Sequence, residues 1–294
     1  MSDREPLSQN ARMTAQSRTS IPLTVIILTY NEESNIEACI NGMASVDDIV
    51  IVDSLSADGT VKLAQSARPD VRVFTNKFKD FGDQRNWALD NVAPRHQWIL
   101  FVDADEFCSE EFLQEVAQFI ANPTGRVGAY VAGKNYFLGR WLKHTTMYPS
   151  YQLRLLKLGE VRFRKEGHGQ REVTDGELHY LTEGWRHEGF SKGLHQWIER
   201  HNQYSTDEVE LILRLRRERI NWLHLFSRSP IPRRRALKQL GAKLPFRPLT
   251  RFLYMYILRR GFLDGYAGFV FCSLRFAHDI HIVAKLAERT ALNK

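Results

Sequence analysis

The sequence has 294 residues, which is long enough for one large domain or for a domain with an appendage. With 43% hydrophobic and 26% charged residues it can bury a core, which excludes a disordered chain. The formal net charge of +7 favours anionic partners: nucleic acid, phosphorylated small molecules or an anionic membrane surface. Cys39, Cys108 and Cys272 are too few and too scattered for a disulfide framework or a Cys-x-x-Cys metal site, which indicates a reducing compartment.

The N-terminal segment, residues 1–21, is polar and is predicted to be a flexible tail. It lacks the apolar centre of a signal peptide, so we expect that the protein is not exported. No stretch of about 18 residues is both apolar and uncharged, so the sequence predicts no transmembrane helix.

Strands and helices are predicted to alternate after the tail. Apolar runs rich in β-branched residues predict buried strands at 23–30, 48–54, 71–76 and 98–106. Helices are predicted at 34–43, where Ser34 and Glu37 form a capping box, at 60–67, at 81–92, and from the cap Ser109 to residue 120. This alternation predicts a Rossmann-type α/β fold, with a mostly parallel sheet flanked by helices. Ligands bind such sheets at the carboxyl ends of the strands.

The pattern changes near residue 128. Longer strands without crossover helices are predicted at 129–141 and 151–163, and a further strand beginning at Val173. Two helices are predicted next, from about Ser191 to 205 and at 207–223. The last part of the chain mixes basic clusters with aromatic segments. We therefore predict a main domain at 22–205 and a helical, basic and aromatic C-terminal extension at 206–294.

The segment WILFVDADEF, residues 98–107, places three carboxylates directly after an apolar strand: Asp103, Asp105 and Glu106. Like charges at this spacing repel one another, so a cation between them would stabilise the fold. Carboxylate oxygens are the ligands that Mg²⁺ and Mn²⁺ prefer, which predicts a divalent metal site. The alternative is a solvated strand end whose acids favour the N-terminus of the following helix.

The polar residues at the strand ends form an ordered set of motifs. The set consists of TYNEE (29–33), IVDSLSADGT (51–60), GDQRNWAL (82–89) and FVDADE (101–106). In this order they resemble the family 2 glycosyltransferases, whose fold is called GT-A, over roughly residues 22 to 205. The later segments HGQREV (168–173), HEGFSKGLHQWIERHNQYS (187–205) and GFLDGYAGF (261–269) resemble the subgroup related to lipopolysaccharide-core β-glucosyltransferases.

The resemblance implies a UDP-sugar donor and assigns roles to the matching residues. The implied nucleotide pocket consists of Thr29, Tyr30, Glu32 and Ala104. Asp53 would contact uracil or ribose, and Arg85 the base or the diphosphate. Asp103 would contact ribose and metal, Asp105 would ligate the metal, and His187 would touch the metal or the diphosphate. Each has a structural alternative: a turn-forming Asp53 beside Gly59, a surface Arg85, a helix-capping Glu32 and a hydrogen-bonded His187.

An inverting transfer also needs a carboxylate that takes the proton of the acceptor hydroxyl. The segment KEGHGQREV offers Glu172, which we favour, and Glu166, with His168 orienting the acceptor or the base. A surface ion pair is the alternative for either glutamate. The implied activity is transfer of a hexose from a UDP-sugar, with Mg²⁺ or Mn²⁺, to a saccharide of a lipid-linked or cell-envelope glycoconjugate, of the lipopolysaccharide-core or exopolysaccharide type.

Two other functions are considered. The basic composition would suit a nucleic-acid-binding protein, although acidic strand ends without metal would repel phosphate, so no nucleic-acid partner is expected. A sugar-1-phosphate nucleotidyltransferase would want a glycine-rich loop after the first strand, and TYNEESN (29–35) has no glycine.

The C-terminal extension places a basic cluster, Arg233 to Arg235, before the aromatic run at 252–271. Basic residues next to apolar helix faces favour docking on an anionic membrane surface rather than spanning it. We therefore predict a cytoplasmic protein bound peripherally to the inner face of the cell membrane. The alternative is that these helices pack on the main domain or form a dimer contact.

Overall fold

The computed structural model describes residues 20–167 and 169–292, so the predicted tail lies almost entirely outside the described residues. The strands are β1 (Ile21–Thr29), β2 (Val46–Asp53), β3 (Arg72–Thr75), β4 (Trp98–Asp103), β5 (Glu106–Phe107), β6 (Gly128–Ala132), β7 (Lys134–Phe137), β8 (Arg140–Trp141), β9 (Tyr151–Lys157), β10 (Arg162–Glu166), β11 (Gly169–Val173), β12 (Leu178–Tyr180) and β13 (Arg186–His187). The helices are α1 (Ile36–Asn41), α2 (Thr60–Ala67), α3 (Phe81–Asn91), α4 (Glu110–Ala121), α5 (Gly193–Arg217), α6 (Trp222–Leu225), α7 (Pro230–Lys243), α8 (Arg247–Leu253) and α9 (Gly265–Leu292). A π-helical turn, Tyr254–Leu258, and a 3-10 turn, Gly261–Asp264, connect α8 to α9.

Seven of the described strands form the main sheet, in the order β12-β6-β9-β4-β1-β2-β3. The neighbours β1, β2, β3 and β4 run parallel, whereas β9 runs antiparallel to β4 and β6. The register pairs Thr29 with Asp53 and Leu28 with Asp103. The carboxyl ends of β1, β2 and β4 therefore meet at one edge of the sheet, where ligands bind in α/β folds.

Helices cover both faces of this sheet, which confirms the predicted α/β class. Cys39 of α1, Ala64 of α2 and Phe112 of α4 are buried in one hydrophobic cluster against β1, β2 and β4. Ala88 of α3 is buried in a second cluster on the other face, together with Phe163 of β10. The central strands are buried on both sides, which explains why their sequences are continuous apolar runs rather than alternating ones.

A second described sheet, in the order β5-β13-β7-β8, lies beyond the end of β4. Its register places His187 opposite both Glu106 and Asn135. The hairpin of β10 and β11 pairs Phe163 with Glu172 and packs against α3. These two small elements bring side chains from distant parts of the sequence to the same edge of the main sheet.

Several predicted elements are confirmed closely. The helix at 60–67 is α2, and the Ser109 side chain caps α4 by accepting a hydrogen bond from the Phe112 backbone N (3.2 Å). The capping box of Ser34 and Glu37 was wrong: α1 begins at Ile36 after Asn35, without a side-chain cap. The Asn35 side-chain amide instead donates a hydrogen bond to Glu32 Oε2 (2.7 Å). This bond connects the start of α1 to the loop that follows β1.

The strand predictions after residue 128 were too long. The segment 129–141 divides into β6, β7 and β8, and the segment 151–163 into β9 and β10. The second division falls at Gly159, whose φ of +87° turns the chain. The strand expected to begin at Val173 instead ends there, so Glu172 lies within β11. The alternation of apolar and polar residues does not locate such turns, because it continues in the strands on both sides of the turn.

The two helices predicted around residue 206 are one continuous helix, α5, which ends at Arg217. The predicted domain boundary between 205 and 206 lies within this helix, and the division itself stays a prediction. Val209 and Ile212 of α5 pack with Ala242 of α7 and with Ile282 of α9. The extension is helical, as predicted.

The segment at 261–269 fixes the extension to the main domain. Asp264, which is buried, accepts hydrogen bonds from the backbone N atoms of His144 (3.0 Å) and Thr145 (2.8 Å). A side chain at Gly261 would clash with Thr145, since its Cβ would lie 2.7 Å from the threonine methyl group. The alternative given above, that this part of the extension packs on the main domain, is therefore present for the segment 261–269. No transmembrane helix was predicted, whereas by length and composition alone the helical stretch 261–292 could cross a membrane. A third of its most apolar window is buried inside the protein.

Candidate functional site

A cavity of about 1520 Å³ lies at the carboxyl edge of the sheet, between the main domain and helices α5, α7 and α9. The predicted residues that line it are Thr29, Tyr30, Glu32, Arg85, Asp103, Ala104, Asp105, Glu166, Glu172 and His187. Residues more than 150 positions apart thus share one cavity. His168 lies outside the described residues.

Two buried arginines hold Asp103 at the end of β4. Arg85 Nη2 of α3 lies 3.1 Å from Asp103 Oδ1, and Arg154 Nη2 of β9 lies 2.8 Å from Asp103 Oδ2. Burial acts against the charged carboxylate, but the two arginines outweigh it and lower the pKa of Asp103. Burial and the neighbouring Arg154 lower the pKa of Arg85 to about 10. The repulsion expected at this strand end is therefore balanced in part by cations of the chain itself.

Glu106 completes this buried ionic cluster. Its Oε1 lies 2.9 Å from Arg154 Nη2, and its Oε2 accepts a hydrogen bond from the Asp103 backbone N (2.8 Å). Burial raises the pKa of Glu106 to about 7, with help from Asp103 and Asp105 and against the attraction of Arg154. A buried side chain that is 3% exposed and bonded on both oxygens is a structural member of the site.

Asp105 pairs with His187 across the cavity edge. Asp105 Oδ2 lies 3.4 Å from His187 Nε2, and His187 Nδ1 lies 2.7 Å from Asn135 Oδ1. An amide oxygen only accepts, so His187 Nδ1 carries a proton and Nε2 faces Asp105. Burial opposes the charged imidazole, but Asp105 outweighs it and raises the pKa of His187 to about 9. His187 in turn outweighs burial and lowers the pKa of Asp105.

A divalent metal needs oxygen or nitrogen ligands that converge on one point. Across residues 20–167 and 169–292, no group of three or more His, Cys, Asp or Glu side chains is arranged to hold an ion. Asp105 and His187 nevertheless offer one carboxylate oxygen and one imidazole nitrogen that face the same cavity. Magnesium sites often use one or two protein ligands, and substrate phosphates and water complete the shell. The hydrogen bond from His187 to Asn135 is typical of metal-ligating histidines.

The loop residues of the implied nucleotide pocket are firmly held. Thr29 Oγ1 donates to Asp53 Oδ1 (2.8 Å), and the Ser56 backbone N donates to Asp53 Oδ2 (2.8 Å). Asp53 is 3% exposed, so its carboxylate ties the β1 and β2 loops together. Glu32 forms an ion pair with Lys192, and burial raises the pKa of Glu32 despite this partner. The predicted contacts of these residues with a nucleotide stay predictions.

The two candidate bases lie on the β10–β11 hairpin. Glu172 Oε1 accepts hydrogen bonds from Tyr130 Oη (2.7 Å) and from Arg235 Nη2 of α7 (2.5 Å). Glu166 Oε2 lies 3.3 Å from Arg171 Nε. The structural alternative, an ion pair, is thus present for both glutamates, and it does not exclude a role in proton transfer.

Arg154 and Gln170 were missed by the sequence analysis. Gln170 Oε1 accepts a hydrogen bond from Arg85 Nη1 (2.7 Å), which ties the hairpin to the acidic cluster. A sequence signal for Arg154 was available, since this charge stands between Leu153 and Leu155 within the strand YQLRLLK. In the structure Arg154 is 2% exposed. A charge inside a buried run requires a buried partner.

Comparisons with known proteins agree with the motif analysis. The family model described as "Glycosyl transferase family 2" matches residues 24–182, which is more than half of the chain. The lipopolysaccharide core biosynthesis glycosyltransferase LpsC of Rhizobium meliloti is 30% identical over 146 residues, which are 49% of this chain and 53% of LpsC. The glycosyltransferase SunS of Bacillus subtilis is 34% identical over 98 residues, 33% of this chain and 23% of SunS.

Among solved structures, Staphylococcus aureus TarS 1-349 aligns with 92% of each chain covered, at 15% identity and a TM-score of 0.40. The chain spans about half the length of LpsC and about a quarter of SunS. The family match confirms the resemblance drawn from the strand-end motifs, and the α/β sheet with its helical extension agrees with the predicted GT-A-like fold. The chain belongs to glycosyltransferase family 2.

Proposed function

We propose that this protein is an inverting glycosyltransferase that transfers a hexose from a UDP-sugar to a saccharide of a lipid-linked or cell-envelope glycoconjugate. The observation that carries this proposal is a single cavity lined by two sets of side chains, Asp105 with His187 and Glu166 with Glu172. The first set, Asp105 with His187, can ligate a divalent metal that also binds the diphosphate of a nucleotide. The second supplies carboxylates for an acceptor hydroxyl.

Asp105 and His187 are the residues that would hold Mg²⁺ or Mn²⁺, with diphosphate oxygens and water as the other ligands. A bound divalent ion would neutralise the charge that develops on the departing diphosphate. Arg154 is already paired with two carboxylates, which leaves its role structural. Within residues 20–167 and 169–292, Arg85 Nη1 is bonded to the neutral Gln170 alone, so the diphosphate can compete for that donor.

The transfer assigned to this chain moves one proton and one sugar. The acceptor oxygen attacks the anomeric carbon, the bond from that carbon to the UDP oxygen breaks, and UDP leaves with the electron pair. The hydroxyl proton passes to the Glu172 carboxylate. Both hydrogen bonds to Glu172 within the described residues go to Oε1, so Oε2 is available to take this proton.

The test of this function is release of UDP from a panel of UDP-hexoses, with and without Mn²⁺ and saccharide acceptors. The protein is expected to hydrolyse or transfer one donor in preference to the others. Asp105→Ala should abolish most of this activity and the thermal stabilisation by UDP with Mn²⁺, because ligand stabilisation follows binding. Without ligand it should melt earlier than the wild type at neutral pH, because it removes the partner of the protonated His187, so the ligand effect is read as the shift that UDP with Mn²⁺ adds to each protein's own melting temperature. Near-normal turnover of this variant would refute the metal assignment.

Peripheral docking on an anionic membrane belongs to the same proposal. The π-helical turn, the 3-10 turn and the start of α9 expose a group of apolar side chains, including Leu258 (74% exposed) and Tyr266 (76% exposed). Arg260 is exposed beside them. Each basic side chain near an anionic leaflet contributes about 1 kcal/mol to binding. A lipid-linked acceptor would then be confined to the same surface as the enzyme.

Sedimentation with anionic vesicles at low and high salt tests the docking. Leu258→Glu and Tyr266→Glu should each reduce the bound fraction, because an exposed carboxylate opposes insertion and the anionic surface. Leu292→Glu is a matched control on α9, since Leu292 is 79% exposed and lies about 39 Å along the helix from Tyr266. Binding that is absent at low salt, or equally reduced by the control, would refute the docking.

A further inference from the structure

Helices α7 and α9 contribute a second group of charges to the cavity wall. The cations are Arg234, Arg235 and Lys238 of α7 and Arg275 of α9. Residues 234, 235 and 238 share one face of α7, because positions three and four apart lie above one another on a helix. This basic segment was predicted to contact a membrane, but these side chains line the cavity.

The cations differ in their partners. Arg235 pairs with Glu172, and Lys238 Nζ lies 3.7 Å from Glu208 Oε2. Arg234 Nη1 donates to a neutral group, Ser150 Oγ (2.6 Å). Throughout residues 20–167 and 169–292, no carboxylate lies within ion-pair distance of Arg234 or Arg275. The wall therefore carries more positive charge than its own acids balance.

The electrostatics of the wall show the same excess. Burial and repulsion by Arg251 lower the pKa of Arg275 to about 9, against the attraction of Asp279 and Glu208. Partial removal from water and repulsion by Arg251 also lower the pKa of Arg234. Burial lowers the pKa of Lys238 in spite of Glu208 and Glu166. Cations that repel one another in this way destabilise the protein unless an anion lies among them.

The position of this wall relative to the candidate base indicates which substrate brings the anion. A base must lie within hydrogen-bond reach of the acceptor hydroxyl, so groups bonded to the base surround the acceptor. Arg235 binds Glu172 directly, and Arg234 and Lys238 flank Arg235 on the same helix. The residues assigned to the donor diphosphate, Asp105 and His187, belong to the other elements of the cavity.

We propose that the acceptor carries an anionic group, a phosphate or a carboxylate, near the hydroxyl that is glycosylated, and that Arg234, Lys238 and Arg275 bind this group. The arginine forks suit two oxygens of a phosphate or carboxylate, and the lysine adds a point charge. This inference rests on the proposed function in one respect: the bound anion belongs to an acceptor only if the protein transfers a sugar. Binding of an anion to these three side chains can be measured whether or not the protein transfers a sugar.

The first measurement is thermal stability of the full chain in phosphate and in chloride at equal ionic strength, with and without UDP and Mn²⁺. Phosphate is expected to raise the melting temperature in both cases, because its site is separate from the donor site. Arg234→Gln and Arg275→Gln should lose the shift due to phosphate and keep the shift due to UDP. Arg233→Gln is the matched control, since it removes the same charge from an exposed residue of α7 that does not line the cavity.

The outcomes separate the two proposals. Loss of the phosphate shift once UDP is bound would mean that phosphate occupies the donor site, which overturns the anion site on α7 and α9. A shift that persists in Arg234→Gln and Arg275→Gln, or that is lost equally in Arg233→Gln, overturns it as well. A phosphate shift without any UDP shift or UDP release would instead refute the proposed transfer and leave the anion site supported.

The second measurement compares glucose, glucose 6-phosphate and glucuronate as acceptors, which distinguishes phosphate from carboxylate. The anionic sugar that fits should be used in preference to glucose. Arg234→Gln should raise the KM for that sugar by about tenfold or more, the size of a lost charge-assisted hydrogen bond, and leave the KM for the donor unchanged. Equal effects on glucose and on the anionic sugars would overturn the proposal. Arg234 is solvent-accessible, so this variant is expected to fold even if Arg275→Gln does not.

Discussion

Replacing Arg154 by methionine is expected to destabilise the protein strongly. The guanidinium lies 2.8 Å from Asp103 and 2.9 Å from Glu106, and its side chain is only 3% exposed. Methionine retains an apolar stem that can pack on the ring of Trp185, which lies 5.0 Å from the guanidinium carbon. The main loss is therefore the charge.

The magnitude follows from burial of the partner that remains. Removing one member of a buried ion pair costs about 3–5 kcal/mol, because the other charge stays in the interior without compensation. In a chain of this length, 1 kcal/mol lowers the melting temperature by about 2 °C, so the variant should melt about 6–10 °C below the wild type. Adding Glu106→Gln should recover part of this loss, because glutamine removes the unpaired charge and keeps an acceptor for the Asp103 backbone N.

The pH dependence has a definite sign. The pKa of Glu106 is raised to about 7 in the folded protein, so burial of its charge destabilises the fold as pH rises through that value. Without Arg154 this penalty grows. The difference in melting temperature between Arg154→Met and the wild type should therefore be larger at about pH 8 than at about pH 6.

Differential scanning calorimetry of the purified variants measures these shifts, with Arg162→Met as the control. Arg162 pairs with Asp90 at 2.7 Å, but both side chains are about half exposed (49% and 54%). An exposed pair contributes about 0–1 kcal/mol. If Arg154→Met melts no earlier than Arg162→Met, the buried cluster does not stabilise the fold and the reasoning above is refuted.

Three further variants test other parts of the structure. Glu172→Gln should lower turnover by ~10²–10⁴-fold with an unchanged donor KM, whereas Glu166→Gln should not; near-normal steady-state rates for both would place the base elsewhere. Asp48 is buried, which opposes its charge, but its ion pair with Arg72 (2.7 Å) outweighs burial and lowers its pKa. Its stabilisation is present above about pH 4 and lost below it, so Asp48→Asn should melt earlier at about pH 7 and show a shallower acid transition; an unchanged pH profile would contradict this. Gly133→Ala would place a Cβ 2.6 Å from an indole nitrogen and should cost about 1–3 kcal/mol in urea unfolding; wild-type stability would mean that the loop yields.

The sequence by itself determined the fold class and the location of the site. The apolar β-branched runs predicted the strands of the central sheet, because strands buried on both faces have no polar side to display. The polar residues that follow them predicted the binding edge, since parallel strands bring their carboxyl ends together. These patterns are local, so the amino-acid sequence is sufficient to locate Asp103 and Asp105 at that edge.

The tertiary structure decided which charges meet. Arg154 reaches Asp103 because β9 is antiparallel to β4, and His187 reaches Asp105 because the second sheet aligns β13 with β5. Arg235 reaches Glu172 because α5 continues past residue 206 and lets α7 pack against the hairpin. No characteristic spacing in the sequence predicts any of these pairs. Their partners are selected by sheet register and helix packing, which depend on the whole chain rather than on neighbouring residues.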